Sequence, residues 1–186
     1  MIIGSISENL NFEKRVAITP EILKKYKNLG FNICINKNYA SHLGFSDDDY
    51  KKEGVEIFEN KMEVISRSNI IIQMNLPEEE ELKLFKENQT IIGVLNPYIN
   101  KDKLKNLVEK KINCFSMELL PRITRAQSMD ILSSQANLAG YKAVVDSFAY
   151  FQKAIPMMMT AAGTISAAKV LVVGAGVAGL QAIATA

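Results

Sequence analysis

From its first residues to about residue 120 the chain alternates short apolar runs with segments that carry a polar outer face. The runs Ile2–Ile6, Phe31–Ile35, Val55–Phe58, Ile70–Met74, Thr90–Leu95 and Asn113–Ser116 have the length and the Ile/Val content of strands. Between them, Asp47–Glu53, Lys61–Arg67, Glu78–Phe85 and Lys101–Lys110 read as helices. An earlier helix opens at Thr19-Pro20-Glu21, which supplies an N-cap, a first-turn proline and a first-turn acid, and it closes at Gly30. Such alternation predicts an α/β fold with a mostly parallel sheet covered by helices on both faces.

After Ser116 the pattern changes. A polar segment, MELLPRITRAQSMD, leads into a helical stretch from Ile131 to about Phe151 that is rich in small and aromatic residues. With no strand expected for about fifty residues, this helix reads as a connection between two domains. The methionines at 157 to 159 read as gap-filling core or as interface. The closing residues VLVVGAGVAGLQAIATA read as the first strand, glycine turn and opening helix of a second Rossmann domain, truncated before its sheet is complete. The expected organisation is a Rossmann-like N-terminal domain over 1–130, an interdomain helix and linker over 131–165, and the start of a dinucleotide-binding domain over 166–186.

Composition narrows the function classes. Apolar residues are 48% and charged residues 23%, the balance of a folded globular chain. A net charge of +2, with both signs interspersed, gives no basic stripe, so no nucleic-acid partner is expected. Cys34 and Cys114 lie in apolar β-like runs and read as free thiols in a reducing compartment. No secretory signal opens the chain, which makes the cytoplasm the expected location. Residues 154 to 186 are nearly uncharged, but Pro156, Lys169 and the glycines at 163, 174, 176 and 179 argue against a spanning helix. No metal site is expected. His42 stands in a polar loop without ligands at useful spacing, and the acidic run Glu78–Glu81 suits the first turn of a helix.

Two segments carry chemistry. In Lys169–Gly179 an apolar strand precedes a GxGxxG turn, and a helical pattern follows. Gly174 permits the tight turn, Gly176 lets the backbone approach a pyrophosphate, and Gly179 allows close helix packing, with Val177 and Ala178 between them. The acid expected about twenty positions further on, to hold a ribose, lies beyond Ala186. The second segment places Arg122, Arg125, Gln127, Asp130 and Ser133 between a strand end and the long helix, where open α/β sheets bind ligands. Arginine and aspartate there suit a ligand site or a salt bridge tethering the helix equally well.

The segments GSISENLNFEKRVAITP, PRITRAQSMDILSSQANLAGYKAVVDS and PMMMTAAGTISAAKVLVVGAGVAGLQAIATA resemble the NAD(H)-binding alpha subunit of proton-translocating NAD(P)+ transhydrogenase, a relative of alanine dehydrogenase. The resemblance covers the whole chain and about the N-terminal half of such a subunit. It implies two Rossmann-like domains with NAD(H) in the cleft between them, and hydride transfer to NADP(H) on a partner beta subunit, coupled to proton movement. It also implies a homodimer lying on the inner face of the bacterial plasma membrane through its partners. The family's nicotinamide-positioning Arg, Gln, Asp and Ser fall on Arg122, Gln127, Asp130 and Ser133. The pyrophosphate turn falls on Gly174, Gly176, Val177, Ala178 and Gly179.

Departures bear on the chemistry. Alanine dehydrogenases carry a lysine where this chain has Gln73 or Met74, and a histidine where it has Asn96 or Pro97. Neither replacement serves as a cationic donor or an acid, which disfavours oxo-acid chemistry. Arg15 matches the arginine that holds a substrate carboxylate in alanine dehydrogenases, and it suits a structural pairing ahead of the first helix at least as well. An alanine-dehydrogenase-like oxidoreductase and a non-catalytic fragment of a split gene are the alternatives. Weak or absent NAD(H) binding is expected of the chain alone.

Overall fold

The computed structural model describes residues 1–186, which divide into two compact units, Met1–Leu120 and Pro121–Ala186. In the first unit every predicted apolar run finds a ladder partner. The elements are β1 (Ile2–Ser5), α1 (Pro20–Asn28), β2 (Asn32–Asn36), α2 (Asp47–Lys52), β3 (Glu56–Phe58), α3 (Lys61–Arg67), β4 (Ile70–Asn75), α4 (Glu79–Lys83), β5 (Thr90–Val94), α5 (Lys101–Glu109) and β6 (Asn113–Ser116). The strands form one sheet in the order β3-β2-β1-β4-β5-β6, and every pairing is parallel. Because β1 leads to β2 and β3 on one side while β4 leads to β5 and β6 on the other, the winding reverses between β1 and β4. In a doubly wound sheet that reversal leaves a crevice at the carboxyl ends of the two strands.

Both sheet faces are covered, as the apolar runs require. Ile6, Ile71 and Ile91 pack with Val64 and Ile65 of α3, Leu82 of α4 and Leu107 of α5. Ile3, Ile33 and Ile35 pack on the other face with Leu23 of α1 and Tyr50 of α2. Local caps define the helix starts. Asp49 N donates to Ser46 Oγ at the head of α2, and Glu63 N donates to Asn60 Oδ1 at the head of α3. Glu81 Oε2 accepts from Glu78 N, so the acidic run does serve the first turn of α4. Thr19 precedes α1 in extended conformation without a side-chain cap bond, and Pro20 initiates that helix through its fixed φ. Gly30 takes a φ of +81° where the chain turns into β2.

The second unit contains α6 (Ile131–Tyr150), a hairpin of β7 (Met158–Thr160) and β8 (Gly163–Ile165), and α7 (Val177–Thr185). Three expectations are corrected here. The stretch between the long helix and the glycine turn holds an antiparallel hairpin, because Ala161 and Ala162 leave room for a two-residue turn ahead of Gly163, whose φ is +141°. The methionines are not core: Met157, Met158 and Met159 are all exposed on that hairpin and its approach. Val170–Val173 joins no ladder, so it is an apolar segment without the pairing that defines a strand. The division between units falls at Leu120, ahead of the 130/131 boundary suggested by texture, since segment 121–130 caps α6 and buries Ala126. No helix is long and apolar enough to cross a membrane.

Candidate functional site

At the carboxyl ends of β1 and β4, a cavity of about 400 Å³ is lined by Glu8, Glu13, Lys61, Gln73, Asn75, Glu78 and Glu81 among others. Gln73 is buried at its rear and every polar atom of its amide is used. Its Oε1 accepts from Ser5 Oγ at 2.9 Å and Ile6 N at 2.8 Å. Its Nε2 donates to Ile6 O and to Glu8 Oε1, each at 3.0 Å. Ser5 Oγ also bonds Tyr39 Oη at 2.7 Å, and that phenol accepts from the backbone N–H groups of Ala17 and Ile18. A buried polar chain therefore ties the loop after β1 to the end of β4.

Arg15 lies on that loop, and its Nε and Nη2 donate to Glu13 at 2.8 and 2.6 Å. The Arg15 hydrogen bond, set against the cost of burial, brings the Glu13 carboxyl down to about 2. Glu8 behaves oppositely. Burial raises it to about 6 despite the backbone N–H of Met74, with Glu13 and Glu81 adding repulsion. Lys61 is engaged by Glu81 at 2.6 Å. Both cations near the cavity thus face a carboxylate, and the balance of the lining is acidic. Asn96 at the end of β5 has a φ of +46°, and its N–H donates to Glu118 Oε1 at 2.6 Å. That backbone turn carries an amide side chain and no acid–base group.

All nine sequence-predicted site residues fall in the second unit. Asp130 is the N-cap of α6: Oδ1 accepts from Ser133 N at 3.0 Å and Oδ2 from Ser133 Oγ at 2.6 Å. Those two bonds hold the Asp130 carboxyl below its ordinary range, and the Arg122 charge adds to the effect. The structure brings Asp130 and Ser133 together, while Arg122 and Gln127 are exposed on the turn before the helix. Gln127 contributes its carbonyl, which accepts from Asp130 N.

The glycine turn has the expected stereochemistry. Gly174 sits at a φ of +105°, which an L side chain rarely adopts. A Cβ on Gly179 would lie 2.0 Å from Gly174 O, so only glycine permits the helix to start so close to the turn. The first turn of α7, containing Val177, Ala178 and Gly179, has no side-chain cap bond and no acid. Backbone N–H groups at such a helix start suit an anion such as a pyrophosphate. Sequence reasoning missed what stands behind this turn. A Cβ on Gly140 would lie 2.1 Å from Ala178 O, and Asn137 Nδ2 donates to Gln181 Oε1 at 2.9 Å. A lone glycine inside a long helical pattern was the available signal.

A doubly wound parallel sheet followed by a glycine turn at a helix start defines a Rossmann-type protein. The chain belongs to the alanine dehydrogenase/PNT family. Residues 4–139 match "Alanine dehydrogenase/PNT, N-terminal domain", and residues 143–186 match the C-terminal domain of the same family. It is 43% identical over 190 aligned residues to a Rickettsia prowazekii protein named as the first portion of NAD(P) transhydrogenase subunit alpha, covering 100% of this chain and 50% of that protein. The structure of a transhydrogenase from Sinorhizobium meliloti is 42% identical, covering 100% of this chain and 55% of its own, with a TM-score of 0.92. An L-alanine dehydrogenase shares the fold at a TM-score of 0.85 and 20% identity, covering 99% of this chain and 51% of its own. The chain spans about half the length of the curated relatives it matches.

Proposed function

We propose that this chain is the N-terminal part of the NAD(H)-binding alpha subunit of a proton-translocating NAD(P)+ transhydrogenase. The observation that carries this reading over an amino-acid dehydrogenase is Gln73. Its amide is saturated by four hydrogen bonds, in the strand where the dehydrogenases carry a lysine and this chain has Gln73 or Met74. With Arg15 bound to Glu13 and three further glutamates on the lining, the switch-point cavity repels a carboxylate substrate.

NAD(H) supplies the hydride chemistry when bound, and the residues present fit it. The Gly174–Gly179 turn offers uncapped N–H groups to the pyrophosphate, with room at Gly176 for close backbone approach. Arg122, Gln127, Asp130 and Ser133 are assigned to positioning the nicotinamide. Asp130 and Ser133 orient each other, and the Arg122 guanidinium favours the ionised Asp130 carboxylate. No general acid or base is required, because transfer between two nicotinamides depends on ring placement. The partner assigned is a beta subunit carrying NADP(H), in a complex whose alpha subunits pair as a homodimer on the inner face of the plasma membrane.

Fluorescence titration with NADH, of the chain alone and of the chain joined to the second half of a relative, tests this. Binding is expected to be weak alone and saturable when complete, and to weaken at least about tenfold in Arg122→Ala and Asp130→Asn. Pyruvate- and ammonia-dependent NADH turnover by the completed protein would instead establish the dehydrogenase reading.

A further inference from the structure

One stripe of α6 carries Ser133, Asn137, Gly140 and Val144, at the i, i+4, i+7 and i+11 spacing that lines a single helix face. The lower end of the stripe holds the Asp130–Ser133 pair, and its middle seats α7. Gly140 leaves no room for a Cβ beside Ala178 O, and one turn earlier Asn137 Nδ2 donates to Gln181 Oε1 at 2.9 Å. Because Gly140 meets Ala178 while Asn137 meets Gln181, the two helices run in opposite directions where they touch. The glycine turn at the head of α7 therefore stands beyond Gly140, more than about 10 Å along α6 from Ser133 at 1.5 Å per residue. A ligand that bridges the turn and the Asp130–Ser133 pair must match that separation.

Little else holds the register of this crossing. The buried residues of the two helices are Gly140 and Val144 on α6 and Ala182 on α7, small or short side chains that interlock weakly. A close backbone approach at one point is a pivot, and a second point is needed to fix direction. The Gln181 amide is aimed for that purpose: its Nε2 donates to Thr185 Oγ1 at 3.0 Å, and Thr185 Oγ1 donates back to Gln181 O at 2.7 Å, which turns Oε1 toward Asn137. We propose that Asn137 and Gln181 are positioning residues for the dinucleotide, their hydrogen bond setting the distance between the Gly174–Gly179 turn and the Asp130–Ser133 pair. The inference rests on the NAD(H) reading of those two groups and adds the pair that holds them at a fixed spacing.

The test compares NADH with ADP-ribose, which carries the pyrophosphate and lacks the nicotinamide, by titrating the chain joined to the second half of the Rickettsia prowazekii relative. Asn137→Ala is expected to weaken NADH about threefold to tenfold and to leave ADP-ribose unchanged, because only the nicotinamide depends on the spacing. Gln181→Ala should do the same, and the double variant should bind NADH no more weakly than either single one, since both remove one interaction. Unchanged ADP-ribose affinity also reports that the turn is still folded. An unchanged NADH to ADP-ribose ratio, equal losses for both ligands, or losses that add in the double variant would each overturn the proposal and leave the NAD(H) reading standing. Absence of NADH binding by the unsubstituted protein would overturn both.

Discussion

The Arg15 guanidinium is gripped by the Glu13 carboxylate two residues before it, Nη2 to Oε2 at 2.6 Å and Nε to Oε1 at 2.8 Å. An arginine so engaged is not offered to a substrate carboxylate. Asn75 Nδ2 adds a further donor to Glu13 Oε2 at 3.0 Å, which anchors the pair to the end of β4.

The pair has a pH signature. Glu13 titrates at about 2 in the folded chain, well below the ordinary glutamate value of 4.5, so its contribution is complete above the unfolded value. That contribution is lost as pH falls from 4.5 toward 2. The half-exposed arginine limits it to about 1–2 kcal/mol after solvent screening. Chemical unfolding of the first unit at a series of pH values should show the acid-side loss, and Glu13→Gln should flatten it.

Glu8 carries the opposite sign. Its folded value of about 6 lies above 4.5, so the folded chain binds the proton more tightly than the unfolded one. Stability therefore declines as pH rises from 4.5 through 6, by about 1 kcal/mol given the partial exposure of the group. Glu8→Gln keeps an acceptor for Met74 N and removes the ionisation. The variant should be more stable than the parent at pH 7 and equal to it near pH 4.5, as read by denaturant midpoints.

Gln73→Lys introduces the kind of residue that alanine dehydrogenases carry in this strand, where this chain has Gln73 or Met74, into a place built for an amide. The substitution strips an acceptor from Ser5 Oγ and Ile6 N and buries a cation, for a loss of about 2–4 kcal/mol. No pyruvate-dependent activity should appear in the completed protein, because Arg15 remains bound to Glu13. A stable variant that oxidises NADH with pyruvate and ammonia would refute this role for the cavity.

Gly140→Ala should loosen the second unit alone. A methyl group 2.1 Å from Ala178 O forces α6 away from the start of α7, at a cost of about 1–3 kcal/mol. Amide exchange over Val177–Thr185 should accelerate while that of β1 and β4 stays unchanged.

The alternation of apolar runs with helices specified the parallel sheet. Strand and helix periodicities are local properties, and six apolar β-runs separated by helices leave few other solutions. The long helix and the glycine turn were legible for the same reason, since a GxGxxG between an apolar run and a helical pattern is itself a local arrangement. Ladder membership was less legible. Val170–Val173 has the composition of a strand, but pairing depends on neighbours that composition does not supply.

Site detail came from distant atoms. Gln73 or Met74 stands in the sequence where the dehydrogenases carry a lysine, and the tertiary structure surrounds Gln73 with Ser5, Ile6 and Glu8 from β1 and the loop after it. Asp130 and Ser133 read as ligand residues, and the structure shows the helix-capping bonds between them. Met157–Met159 read as gap-filling core or as interface, and the hairpin holds them out of the core. The sequence by itself determined the order and kind of elements, because those follow from periodicity and backbone stereochemistry. Only the tertiary structure decided which charge meets which, that Arg15 is taken by Glu13, and that Gly140 seats α6 against α7, because those outcomes depend on atoms brought together by the fold.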